Sequence, residues 1–273
     1  MRIFVKILYI TALCALMMSN VVAQDADTLF YRSHSVRSIG CGFPALNYSL
    51  LSSLNHSGYS ISFHSTRFRE KPEHLNQFQM HSELGILYNY ANDSYITSLG
   101  FNSRLSRHKY VNDRSRPLRL LLGGGVDAGV SVYLKDDNTN NPMAYFFNLS
   151  LSPTLLLKYR FNTGKTKTEL GQQIDLPLIS LVSSSEYSST LPPGFFEEDA
   201  NFFDAMRLVS LGSLKKCVTM TTLDITPSPE RRQKRPVIRI SYMFSGVNYS
   251  KGDFTIKSVE HLFFLGLIFH LFQ

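Results

Sequence analysis

The sequence predicts a closed antiparallel β-barrel that spans a membrane, with about ten strands and a range of eight to twelve. Three observations predict it. The first is periodicity in residues 144–161, AYFFNLSLSPTLLLKYRF. Tyr145, Phe147, Leu149, Leu151, Leu155, Leu157, Tyr159 and Phe161 share one face, interrupted only by Pro153. Asn148, Ser150, Ser152, Thr154, Lys158 and Arg160 share the other, with Phe146 and Leu156 as apolar exceptions. A period of two marks a strand, because successive side chains of a strand point to opposite faces. The second is length. The stretch exceeds the about 5–6 residues of an ordinary strand and covers the roughly 9–11 that a tilted strand needs to cross a bilayer. The third is the distribution of aromatics, which stand at both ends of the apolar face, as at the two interfaces of a membrane. There is no tryptophan, and 14 Tyr and 20 Phe supply the girdles.

The chain opens MRIFVKILYITALCALMMSNVVAQ. Arg2 and Lys6 make a basic start, residues 7–18 are an apolar run too short to span a bilayer, and Val21, Val22 and Ala23 precede a cut at Gln24. Residues 1–23 are therefore expected to be a cleaved signal peptide and residues 24–273 a single outer-membrane barrel. Bulky Leu13 before Cys14 argues against a lipoprotein. Losing Arg2 and Lys6, and no acid, takes the formal charge from +7 to +5. The remaining basic residues are dispersed, and the one cluster, at 230–235, reads as a solvated turn, so no nucleic acid partner is expected. After Gln24 no apolar run is long enough for a membrane helix. Cys41 and Cys217 fall on the first and eighth strands, which are not neighbours, so no disulfide is expected across the wall.

In order along the chain, the first strand covers about 36–43 and residues 47–57 form a polar loop. The second strand begins just after Gly58, with Tyr59, Ile61 and Phe63 opposing Ser60, Ser62, His64 and Thr66. Residues 70–73 turn, since Pro72 cannot join a ladder. The third strand, 77–90, sets Phe78, Met80, Leu84, Ile86, Tyr88 and Tyr90 against Gln77, Gln79, His81, Glu83 and Asn89; residues 91–94 are a hairpin turn. The fourth, 95–107, puts Tyr95, Leu99, Phe101 and Leu105 outside and Ser98, Asn102, Arg104 and Ser106 inside. The fifth, 118–135, places Leu118, Leu120, Leu122, Val126, Ala128, Val130, Val132 and Leu134 outside and Arg119, Asp127, Ser131, Tyr133 and Lys135 inside. Gly123, Gly124 and Gly125 lack the GK[ST] and helix of a phosphate loop and read as a barrel bend where a side chain will not fit.

After a loop at 136–142, the organising stretch is the sixth strand, and residues 162–165 turn. The seventh, 166–181, opposes Leu170, Ile174, Leu176 and Leu178 to Lys167, Glu169, Gln173 and Asp175. Residues 183–204 are the longest loop, rich in Ser and Pro, with Glu186, Glu197, Glu198, Asp199 and Asp204. The eighth strand lies within 207–226, either as one strand near 217–225 or as a hairpin that would change the count. A turn at 227–236 precedes the ninth strand, 237–247, and the tenth covers about 254–272. An even count with the N-terminus in the periplasm puts the short turns inside and the long acidic loop outside.

The stretches LLGGGVDAGVSVYL, LSPTLLLKYRF, DLPLISLVSSSEY, LVSLGSL and HLFFLGLIFHLF, in this order and spacing, resemble an uncharacterised Bacteroidetes outer-membrane β-barrel family known only as a domain of unknown function. The resemblance covers most of the chain after the signal peptide. It implies a place in the outer membrane of a Gram-negative envelope and carries over no catalytic residues.

Side chains largely fill the inside of an eight- to ten-stranded barrel, and buried charges there must be paired. Arg104, Asp127, Lys158, Arg160, Glu169, Asp175 and Arg239 are the expected polar network of a plugged lumen, joined on the inward face by His64, His81 and Glu83, with Glu260 and His270 as further candidates. The leading expectation is a non-enzymatic outer-membrane barrel that acts through its outer loops or as a structural component of the envelope, with 183–204 as the segment to meet an extracellular ligand. Outer-membrane lipid and the barrel-assembly and periplasmic chaperone machinery are its other expected partners. A lipid acyl hydrolase is the first alternative, because His64, His81 and Glu83 supply the residue types of a serine–histidine centre. A neighbour on the same strand, such as Ser82 beside His81, points to the other face and cannot serve it. A small pore is the second alternative. No metal-ligand spacing is present, and no metal or cofactor is expected. Asn-x-Ser occurs at Asn47, Asn55, Asn92, Asn148 and Asn248, and Asn148 lies inside the best strand, so these are read as accidents of composition.

Overall fold

The computed structural model describes residues 32–91, 93–135, 143–163, 166–185, 206–226, 237–252 and 254–270, with the side chains of 32, 163 and 270 outside that description. The expected signal peptide, the loop 183–204 beyond Ser185, the turn 227–236 and the His270 side chain therefore lie outside the described residues. Within them are twelve strands: β1 (Arg32–Tyr48), β2 (Ser52–Glu70), β3 (His74–Asn89), β4 (Ser94–Tyr110), β5 (Leu118–Leu134), β6 (Met143–Thr163), β7 (Thr166–Asp175), β8 (Ile179–Ser184), β9 (Arg207–Ser210), β10 (Leu214–Thr226), β11 (Val237–Lys251) and β12 (Phe254–His270). No helix among them is long and apolar enough to cross a membrane.

Ten of these close a ring in the order β1-β2-β3-β4-β5-β6-β7-β10-β11-β12, with β12 pairing β1 and β5 pairing β6. Every pairing is antiparallel. The register that starts at Arg32 passes Glu70, Leu75, His108, Gly123, Thr154, Asp175, Val218, Ser245 and Glu260, and re-enters β1 at Pro44. That stagger is the shear that a closed sheet requires, and it tilts every strand against the barrel axis.

β8 and β9 occupy no ring positions of their own. β8 pairs with β6 beyond the end of β7, and β9 pairs only with β8. The expected seventh strand, 166–181, is thus β7 and β8 joined through Leu176, Pro177 and Leu178. Thr154 pairs with Asp175 on one side of the join and Leu151 with Ile179 on the other. One extra residue separates the two registers, which is a bulge, and it turns Ile179 outward and Ser180 inward. The expected eighth strand is likewise β9 and β10 joined by a turn at 211–213.

Two other expectations need correction. Residues 47–57 are not a loop, because β1 continues to Tyr48 and β2 starts at Ser52, and only the turn between them is irregular. The cause is that both strands run past the apolar belt, where outward residues no longer need to be apolar; Asn47 Nδ2 bonds Asn55 Oδ1 across the hairpin at 2.9 Å. β2 also continues to Glu70, so the turn before β3 is shorter than 70–73. The glycine run causes no break in register on either side of β5. A Cβ at Gly123 would strike the Arg107 carbonyl oxygen, so glycine there permits close approach of β4. The turn between β4 and β5 is held by Asn112, which donates to the Leu118 carbonyl at 2.7 Å and accepts from the Leu120 N–H at 2.8 Å. In the same turn the Ser115 N–H donates to Asp113 and holds its carboxyl below the ordinary range.

Alternation is strict on most strands. On β6, Ala144, Phe146, Asn148, Ser150, Ser152, Thr154 and Leu156 are buried inward, whereas Leu151 and Tyr159 stand exposed on the outer wall. Inside, apolar side chains gather at both ends. Leu46, Tyr48, Leu50, Leu51, Tyr133, Phe146, Tyr249 and Phe254 belong to a cluster at the end where the β1–β2 turn lies, called here the loop end. Val36, Phe68, Leu75, Leu121, Leu156, Val237 and Ile268 form another at the end of the first and last strands, the terminal end. The lumen is therefore layered, and Phe146 and Leu156, the apolar exceptions on the inward face of β6, belong to the two end clusters.

Candidate functional site: the charged lumen

Between the apolar layers lies a cavity of about 130 Å³, lined among others by His64, His81, Glu83, Arg104, Asp127, Asp175, Lys216 and Glu260. Such a volume has room for several waters. Arg104, on β4, is its centre. Its guanidinium lies 3.3 Å from Asp127 on β5 and 2.5 Å from Asp175 on β7, and donates to Thr154 Oγ1 on β6 at 2.5 Å. Ser152 donates to the other Asp127 oxygen at 2.7 Å, and Gln173 to Asp175 at 2.8 Å. Each of these residues points inward because it occupies the alternate position opposite a lipid-side residue. The arrangement neutralises charge that burial would otherwise make very costly.

A second cluster lies toward the terminal end. Glu169 on β7 accepts from Arg119 at 2.6 Å and from Arg160 at 2.7 Å, with Lys158 at 3.3 Å. Glu70 accepts from Tyr110 at 2.5 Å and lies 3.0 Å from Arg114. Arg239 makes a two-bond pair with Asp224, at 2.6 and 2.5 Å, and its guanidinium stands over the Phe68 ring, as does Lys158. Arg160 is half exposed, at the mouth, while Arg119 is fully buried.

The structure thus joins Arg104, Asp127 and Asp175 in one group and Lys158, Arg160 and Glu169 in another, and pairs Arg239 separately. Sequence reasoning left out Glu70, Lys216 and Asp224, and left Arg119 out of the network although it placed that residue inward. Glu70 was assigned to a turn on the strength of Pro72, and nothing in the local sequence marks Lys216 from its outward neighbour Lys215.

The histidines are placed differently from a hydrolase centre. His64 Nε2 bonds Thr66 Oγ1 at 2.8 Å, and His81 lies 3.6 Å from Glu83, beyond hydrogen-bond range. A serine–histidine contact does occur, at His56 and Ser94, 3.0 Å apart. His56 Nδ1 faces the Leu54 carbonyl at 3.2 Å, which makes Nδ1 the donor and Nε2 the acceptor for the Ser94 hydroxyl. Both residues are almost fully buried and neither lines the cavity, so the contact ties β2 to β4. Among the described residues both cysteines, Cys41 and Cys217, are free, with Cys41 on the outer wall. Among the described residues no group of three or more His, Cys, Asp or Glu could hold a metal ion.

A family model described as "Protein of unknown function (DUF3316)" matches residues 8–273. No curated protein matches the chain. Among solved structures, the outer membrane protease OmpT from Escherichia coli aligns with a TM-score of 0.48 and 7% identity, covering 90% of this chain and 100% of that one. The translocator domain of the autotransporter NalP from Neisseria meningitidis aligns with a TM-score of 0.44 and 8% identity, covering 96% and 97%. The transport unit of the autotransporter AIDA-I from Escherichia coli aligns with a TM-score of 0.41 and 9% identity, covering 92% and 94%.

Proposed function

We propose that this chain, which belongs to the DUF3316 family of proteins of unknown function, is an outer-membrane barrel with a closed lumen that works through its outer loops and as a fixed part of the envelope. One observation carries the reading: an ion-paired layer around Arg104 lies between apolar clusters at the two ends of the lumen. A conducting pore needs a continuous polar path, and packed leucines and aromatics at both ends oppose one. The belt of exposed Ile39, Ile61, Leu84, Leu122, Leu151, Ile240 and Leu265 supports a membrane location. In this reading residues 1–23 are removed as a signal peptide, periplasmic chaperones and the barrel-assembly machinery bring the chain to the outer membrane, and the loop end faces outward. The acidic loop 183–204 is then the segment most suited to a cationic ligand or a basic surface.

Recording from planar bilayers tests this. Protein inserted at low density should give no steady open-channel steps; regular steps would replace the closed-lumen reading with the pore. The hydrolase reading has the His56–Ser94 contact in its favour. Purified protein should release no fatty acid from phospholipid or lipid A, and release that disappears in Ser94→Ala would establish the hydrolase instead.

A further inference from the structure

We propose that the outer wall of β1–β4, toward the terminal end, binds the phosphates of anionic phospholipids in the adjoining leaflet. The proposal rests on the membrane-spanning reading above. Arg37, Arg67, Arg107 and Lys109 are all exposed on that wall. Register brings them together with Arg69 and His74: Ser35 pairs Arg67, Asn76 pairs both Arg69 and Arg107, and His74 pairs Lys109. Arg107 bonds the His74 ring at 3.3 Å. Among the described residues no carboxylate pairs with Arg37, Arg67, Arg107 or Lys109.

The rest of the wall makes this patch unusual. At the same height on the other strands the exposed residues are Leu118, Leu122, Tyr159, Leu170, Ile238 and Phe269. The cations therefore lie inside the height of the apolar belt rather than beyond it. On β1, β2 and β4 the apolar surface begins only at Ile39, Phe63 and Leu105, and on β3 it begins at Phe78, which pairs Arg67. Arginines at such a depth are costly against acyl chains. They become favourable where headgroups dip toward the wall and the bilayer thins, which a one-sided short belt promotes. Guanidinium binds phosphate through two parallel hydrogen bonds, and Ser35 and Ser65, which share the outward parity on these strands, add hydroxyl donors. What touches this height of the wall is the leaflet itself, so charge complementarity selects the lipid phosphate over a soluble acidic partner.

The experiment reconstitutes the full barrel in nanodiscs of phosphatidylcholine with a minor fraction of phosphatidylglycerol and measures the lipid held at the wall with spin-labelled headgroup variants. Wild type should enrich phosphatidylglycerol on the order of fivefold per engaged cation, less at high salt. The combined variant R37Q/R67Q/R107Q/K109Q should show no enrichment while keeping the heat-sensitive gel mobility of a folded barrel. Should that variant not fold, R37Q/R67Q and R107Q/K109Q made separately must each lose part of the preference. Equal enrichment in wild type and variants overturns the proposal, as does a wild type that captures soluble polyglutamate but shows no lipid preference. A wild type that fails to enter a bilayer at all overturns the membrane-spanning reading instead.

Discussion

Arg104 reaches from β4 to three other strands, bonding Asp127 on β5, Thr154 on β6 and Asp175 on β7. Truncating it strands two buried carboxylates without their cation, so Arg104→Ala should cost about 3–5 kcal/mol in an equilibrium denaturant titration of the reconstituted barrel. The triple change R104M/D127N/D175N removes the charges together and should recover most of that loss. If the single variant is as stable as wild type, the group is solvated rather than sealed. The lipid face has a matching test. Leu151 is 55% exposed near the middle of its strand, and Leu151→Arg should cost about 2–4 kcal/mol and lower folded yield. Phe146, five residues away, faces the loop-end cluster instead, and Phe146→Ala should lose stability through a cavity of about 3–5 kcal/mol without a change in lipid contact.

Among the elements, β6 shows why alternation was readable and where it ceased to be. It pairs β7 along one part and β8 along another, with the extra residue at 176–178 between them. Deleting Pro177 would remove the extra residue and put Thr154–Asp175 and Leu151–Ile179 in one continuous register, with Ile179 still outward, Ser180 still inward and only Leu178 turned into the lumen. Folded barrel should therefore survive the deletion as it survives Pro177→Ala, as read from heat-dependent gel mobility; loss in the deletion alone would mean that the bulge itself is needed for β6 to hold both β7 and β8. Faces on β3, β5 and β6 were legible in the sequence because lipid demands apolar residues at every second position. The bulge was not, since Leu176, Leu178, Ile179 and Leu181 are all apolar and hide the change of phase. Strand ends beyond the belt were not legible either, as Ser52, Ser53, Asn55 and Ser57 look like a loop to a rule that expects lipid. Inward charges were found one at a time, but a local pattern does not give their partners, some of which come from strands far apart in the chain, as for Arg104 with Asp175 and Arg119 with Glu169. The Asp224–Arg239 pair depends on a register that no local pattern sets.

At the scale of the whole molecule, closure depends on the two strands furthest apart in sequence. β1 and β12 pair from His34 opposite His270 to Tyr48 opposite Ile256. Removing residues 254–273 would leave β1 and β11 with bare edges, which recruit other chains. The truncated chain should aggregate in detergent and show no heat-sensitive folded band; a monomeric folded form would mean that the ring closes in another way. The layered interior also has a bearing on the time before closure. Where an apolar layer of the lumen meets the lipid belt, the strand is greasy on both sides. Alternation then gives way to runs such as Leu120-Leu121-Leu122 and Leu155-Leu156-Leu157. Each run has its middle residue in the terminal-end cluster and two toward lipid. In the finished barrel neither side of such a run meets water. In the unfolded chain both do, so the residues that seal the terminal end are also the ones most prone to associate wrongly before the ring closes, and a more polar seal would keep the open chain soluble while loosening the stopper.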